Sequence, residues 1–176
     1  MVGPGRIAPM IPYWRLSGYY FFYFAFIGAF SPYFGLYLQS IGVSAAQIAL
    51  LMSLMSVMRM LAPTLWGWLA DRLGVRTPIV RLSAVLSMAG FAGFLVTDAY
   101  VGLFLSMAFL SFFWSAALPL VETLTFSHLG GQASRYGNIR VWGSIGFVLA
   151  VLGLGYLLDG LPVRALLWIT LAILVG

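Results

Sequence analysis

The stretch GWLADRLGVR, residues 67–76, breaks an apolar region of the chain with one acid and two arginines. Gly67 is followed by three residues, then Asp71 and Arg72, one residue, Gly74, one residue and Arg76. On either side lie largely apolar runs, 45–70 and 78–97, each long enough to supply the roughly 20 helical residues that cross a hydrocarbon layer about 30 Å thick. A charged loop this short ties together two antiparallel membrane-spanning helices. Gly74 permits the tight reversal and Gly67 lets another helix approach closely. Asp71 with Arg72 and Arg76 can form a charge cluster that holds one arrangement of helices.

Composition extends this reading to the whole chain. Of 176 residues, 62% are hydrophobic and 7% charged, against about 25% charged in soluble domains; the mean hydropathy is +1.03. The chain therefore reads as an all-α integral membrane protein with the lipid bilayer as a partner. Its net charge of +5 does not imply nucleic acid, because the arginines are scattered among apolar runs rather than gathered on a polar face. With no cysteine and one histidine, disulfide frameworks, thiol nucleophiles and the usual zinc spacings are excluded, and no metal or cofactor is expected. Neither HExxH, GxSxG nor paired carboxylates occur, so an enzyme is not expected. The first apolar run is too long for a signal-peptide core of about 7–15 residues.

Turn residues and charges divide the chain into six expected spans: 13–38, 45–70, 78–97, 100–127, 136–158 and 161–176, the last reading as cut off mid-span. Ser44 with Gln47 three residues on has the pattern of a helix capping box, which starts the second span near Ala45. Arg6, Arg15, Arg72, Arg76, Arg81 and Arg135 fall on one side of these spans, against Arg164 with Asp98 and Asp159 on the other. The positive-inside rule then puts the N-terminus in the cytoplasm.

The loop at 67–76 resembles the signature of the major facilitator superfamily, Gly-x-x-x-Asp-Arg-x-Gly-Arg-Arg/Lys, at the same place between the second and third spans. It departs at Val75, where an arginine is usual. The resemblance implies a cytoplasmic gate formed by Gly67, Asp71, Arg72, Gly74 and Arg76. It also implies that the chain is the N-terminal six-helix half of a transporter in a bacterial inner membrane. A missing C-terminal six-helix half would then supply the other wall of the site.

Three charges lie inside apolar spans. Glu122 stands nine residues before Gly131 and Arg140 nine after. If the chain folds back at Gly130 and Gly131, both sit about 13 Å from the turn and can pair. A charge at mid-bilayer costs about 2.5–3.5 kcal/mol, so such residues meet water, cargo or a partner. A static ion pair and a solute and proton site are both open on this reading. Arg59, deep in the second span, can pair with Glu122, contact solute, or bond carbonyls freed near Pro63. PLVE at 119–122, RVWGSIGF at 140–147 and the first span, YYFFYFAFIGAFSPYFGLYL at 19–38, resemble the lactose permease and phenylpropionate permease branch of proton symporters. That resemblance implies that Glu122 and Arg140 contact substrate, with a similar arginine at Arg59.

Tyr19, Tyr23, Phe26, Phe30, Tyr33 and Tyr37 fall on one stripe of the first helix, able to line a cavity or to pack; Tyr23 and Phe26 are the deepest candidates for solute contact. Trp14, Trp66 and Trp68 suit an interfacial belt. Gly143, Gly146, Ala150, Gly153 and Gly155 suit close helix packing, and His128 suits the carbonyls at a helix end. The function expected is secondary active transport of a small-molecule substrate (aromatic acid, sugar or nucleoside), with protons as co-substrate, by symport and alternating access. Drug/proton efflux, which the missing Gly-Pro of the fifth span disfavours, and a non-transporting membrane subunit are the alternatives.

Overall fold

The structure, a computed structural model, describes residues 12–129 and 133–176. Helices α1 (Tyr13–Ser40), α2 (Ala45–Leu73), α3 (Thr77–Val96), α4 (Tyr100–Leu129) and α5 (Tyr136–Leu158) are followed by the shorter α6 (Ala165–Val175), with a 3-10 turn at Ala133–Arg135. The first five are long and apolar enough to cross a membrane, and α6 is apolar but short. Helix is what such sequences must form in lipid, where each backbone N–H and C=O needs a partner within its own segment.

The ends follow local chemistry. At the start of α2 the Ser44 hydroxyl accepts the Gln47 N–H and the Gln47 side chain accepts the Ser44 N–H, a complete capping box. The helix runs past Ala70 to Leu73 and stops at Gly74, whose φ of 66° is the left-handed conformation that spares glycine any steric cost. His128 Nδ1 lies 2.7 Å from the Leu124 carbonyl in the last turn of α4. Near the C-terminus, the Leu161 N–H bonds back to the Leu157 carbonyl and Pro162 opens a turn closed by an Ala165 N–H to Pro162 carbonyl bond of 2.8 Å, so α6 starts at Ala165. Gly130 and Gly131, where a chain reversal was expected, lie outside the described residues, as does Arg6.

Helix α1 packs along α5, both α2 and α3 pack on α4, and α6 rests on α1 and α3. Because lipid tails are as apolar as the helix surfaces, helices associate through close dispersion contact, which small residues permit. A Cβ on Gly28 would stand 2.6 Å from the Phe147 carbonyl, and one on Gly146 would fall on the Phe21 carbonyl. Gly153 has open space instead, so the small-residue face of α5 does not extend to it. We expect Gly146→Val to destabilise the full-length protein by at least about 1–3 kcal/mol. The check is thermal unfolding in detergent, with Gly153→Ala unfolding close to wild type.

The core is aromatic. Phe26, Phe30 and Phe34 of α1 and Phe91 and Phe94 of α3 are buried and ring-packed, with Phe30 and Phe34 stacked at 4.3 Å. Tyr33 donates to the Val151 carbonyl at 2.7 Å, and Tyr37 donates to Asp98 at 3.2 Å. Most of the α1 stripe thus ties helices together instead of lining a cavity, because α3, α5 and α6 surround α1 on several sides.

Candidate functional site

Arg59 stands fourteen residues from both Ala45 and Leu73, about 21 Å from either end of its helix at 1.5 Å per residue. Its residue is exposed on α2. The guanidinium carbon lies 5.2 Å from the ring centroid of Trp114. Trp114, near the middle of α4, lies flat on Tyr23, with centroids 4.4 Å apart and planes within 6°. The three form a layered stack across α2, α4 and α1. Such a stack attracts the cation to the negative face of the indole. Tyr23 and Trp114 also line a cavity of about 190 Å³ bounded by Ser87 and the last residues of α6.

A second group lies nearer one end of the bundle. Glu122 is seven residues before the end of α4 and Arg140 four residues after the start of α5. At 1.5 Å per residue Glu122 lies about 10 Å and Arg140 about 6 Å from those helix ends, where comparable distances of roughly 13 Å from the turn were expected. Glu122 Oε1 accepts the Tyr136 hydroxyl at 3.2 Å. Arg140 lies on the Phe24 ring, 3.8 Å from its centroid, and 5.8 Å from that of Tyr20. Among the described residues the ion pairs are Asp71–Arg76 and Asp98–Arg164, so Glu122 and Arg140 form no static pair. Tyr20 lies edge-on to Tyr136 at 6.3 Å, and Tyr23 edge-on to Phe24 at 5.2 Å. Aromatic rings of α1, α4 and α5 therefore connect all three charges while keeping them apart.

Within the loop at 67–76, Arg76 Nη2 bonds Asp71 Oδ1 at 3.0 Å, whereas Arg72 lies over Trp68 of its own helix at 5.3 Å. Asp71, Gly74 and Arg76 border a cleft of about 330 Å³ with Leu124 of α4, two residues beyond Glu122. At Gly67 an added Cβ would meet nothing within 4 Å, so no described helix makes the close approach expected there.

Two further expectations change. Phe26 is 1% exposed and packs on Phe30 and Trp114, so it supports the stack from behind instead of facing a cavity. Trp66 is buried and its indole N–H donates to the Phe112 carbonyl at 3.3 Å, packing α2 on α4 instead of anchoring at an interface. Trp114, Tyr136 and Phe24 were missed. Trp114 carried one available signal: it is a tryptophan at mid-span, away from the interfaces where tryptophans concentrate. Among the described residues no group of three or more His, Cys, Asp or Glu side chains is placed to hold a metal.

Residues 13–176 match the MFS_1 like family. Over 144 residues the chain is 38% identical to the maltose permease of Geobacillus stearothermophilus, covering 80% of this chain and 36% of the permease. Over 157 residues it is 27% identical to the probable 3-phenylpropionic acid transporter of Escherichia coli (strain K12), covering 88% of this chain and 40% of that protein. The fold matches the crystal structure of the nucleoside transporter NupG with a TM-score of 0.78 at 21% identity, covering 93% of this chain and 41% of that chain. The chain thus spans about two-fifths of the length of the proteins it matches.

Proposed function

This chain belongs to the MFS_1 like family, and on that premise we propose that it forms one six-helix half of a proton-coupled symporter for a small organic solute, working by alternating access. It is an integral, multi-pass membrane protein of a transporter family. The bundle lies in a bacterial inner membrane with its N-terminus in the cytoplasm. A second six-helix bundle closes the solute cavity. An aromatic acid, a sugar or a nucleoside is the cargo, the classes named for the proteins it matches.

The observation that carries this reading is that Arg59, Glu122 and Arg140 lie within apolar helices and none is ion-paired. A cation over a ring gains about 0.5–2 kcal/mol, less than the roughly 2.5–3.5 kcal/mol for placing a charge at mid-bilayer. The aromatic contacts therefore leave a deficit that water, protons or cargo must offset. Glu122, held by Tyr136 through one oxygen, takes the proton; Arg140 and Arg59, with Tyr23, contact the solute, and Phe26 backs Trp114. When Glu122 is protonated and cargo is bound, the site loses uncompensated charge and closing a dry cavity around it becomes less costly. Asp71, Arg72 and Arg76, with Gly67 and Gly74, form the cytoplasmic gate that favours one access state.

The test uses the full-length protein in proteoliposomes with an acid exterior and labelled maltose, 3-phenylpropionate or uridine. At one proton per solute, a gradient of one pH unit drives about tenfold accumulation, and a protonophore should abolish it. Accumulation of none of the three sinks symport of these classes. Expulsion of cargo under the same gradient would point to an antiporter.

A further inference from the structure

The deepest charge in the bundle is a cation without a counter-charge. Arg59 lies midway along α2, and no described carboxylate pairs with it. Glu122 is engaged by Tyr136 near the end of α4, and it is one carboxylate against two guanidinium groups, Arg59 and Arg140. The inner parts of the helices thus keep one net positive charge even with Glu122 ionised.

The stack decides how that charge is presented. Trp114 takes the guanidinium from one side and is itself laid on Tyr23. Contact through a ring face leaves the N–H edges of a guanidinium available, and Arg59 donates no hydrogen bond to any described residue. A planar guanidinium with its N–H edges free fits the two oxygens of a carboxylate. A neutral hydroxylated solute can bond those edges but leaves the net charge in place; an anion bonds them and removes it.

We propose that the transported solute carries a carboxylate, that Arg59 binds it, and that Trp114 is the positioning residue that orients the guanidinium. The proposal rests on the transporter reading above and narrows its solute class. A carboxylate from elsewhere in the full-length protein offers the same chemistry and is separated from cargo by experiment.

Binding and uptake are measured with the full-length protein using two matched pairs: 3-phenylpropionate with 3-phenylpropionamide, and maltobionate with maltose. In at least one pair the acid should bind about 10- to 100-fold tighter than its neutral partner. Arg59→Gln should erase that preference, and Trp114→Ala should reduce it while Trp114→Phe, which keeps a ring face, restores most of it. A purely structural role for Trp114 would change overall binding without changing the ratio of acid to neutral. Equal binding within both pairs, or a preference that survives Arg59→Gln, overturns the proposal and indicates that a protein carboxylate satisfies Arg59. If maltose is carried and neither acid binds, the carboxylate assignment fails while the transporter reading stands. If nothing is bound or carried, both fail.

Discussion

Glu122→Gln in the full-length protein is expected to reduce solute-driven proton uptake to background while leaving the protein folded. The carboxamide has nearly the shape of the carboxylate, and its oxygen can still accept the Tyr136 hydroxyl that Glu122 Oε1 accepts at 3.2 Å. Helix α4 should keep its seat on α5, so a fall in uptake reports the lost proton site instead of lost packing. A carboxamide at 122 has no titratable proton to exchange with the solute cycle. Solute exchange at equal concentrations on both sides, which needs no net proton movement, should persist. The measurement is the pH change outside vesicles when solute is added, with exchange of labelled solute as the control. Wild-type coupling in the variant would refute the assignment of Glu122.

The energetic reason to choose that residue is the lack of a static partner. Arg59, midway along α2, carries the mid-bilayer cost of about 2.5–3.5 kcal/mol, more than a ring contact returns, and a purely structural role would have brought Glu122 and Arg140 together. They are instead held apart, with Tyr136 on the acid and Phe24 under the arginine. Polar contacts at one end of the bundle are of the structural kind: the buried Tyr37 of α1 donates to Asp98 in the loop before α4, and the largely exposed Asp98–Arg164 pair joins two loops and contributes little alone.

What could be read in the chain follows from how locally each feature is written. The membrane-spanning runs, the Ser44 and Gln47 capping box and the Asp71, Gly74 and Arg76 loop each depend on neighbours a few residues away, and the structure forms them from those neighbours. Contacts between helices were not legible. Arg59 meets Trp114 across 55 positions, and Tyr23 could be placed on that ring only by knowing which side of α1 turns to α4. A helix apolar on every side has no polar stripe to point it outward, so periodicity cannot fix its rotation. The same ambiguity misplaced Phe26 and Trp66, which are aromatic in sequence and buried in fact. The close helix approach read at Gly67 has no partner among the described residues, because a glycine's neighbour is likewise not written next to it in the chain.

Gly74→Val is expected to cut transport at least about tenfold, because its effect is on backbone strain at the gate and not on any contact with cargo. Gly74 holds φ at 66° where α2 turns into α3. A β-branched residue in that conformation is a steric outlier, and the left-handed region costs an ordinary residue about 1–2 kcal/mol. Open space around the Gly74 Cβ position means that the penalty comes from the backbone itself. Relieving it requires the loop to leave the geometry in which Arg76 reaches Asp71 at 3.0 Å beside Leu124. The ion pair alone, largely exposed, contributes at most about 1 kcal/mol; the loop geometry that brings it to α4 contributes the rest. A shift of about 2 kcal/mol in the balance of two access states changes their ratio roughly 30-fold. Gly74→Asn separates the two causes, since asparagine tolerates the left-handed conformation. Transport in Gly74→Asn should stay within about threefold of wild type by the same conversion, while Gly74→Val falls and its unfolding temperature changes far less than its rate. Equal transport in both variants would mean that the turn plays no part in setting the access state.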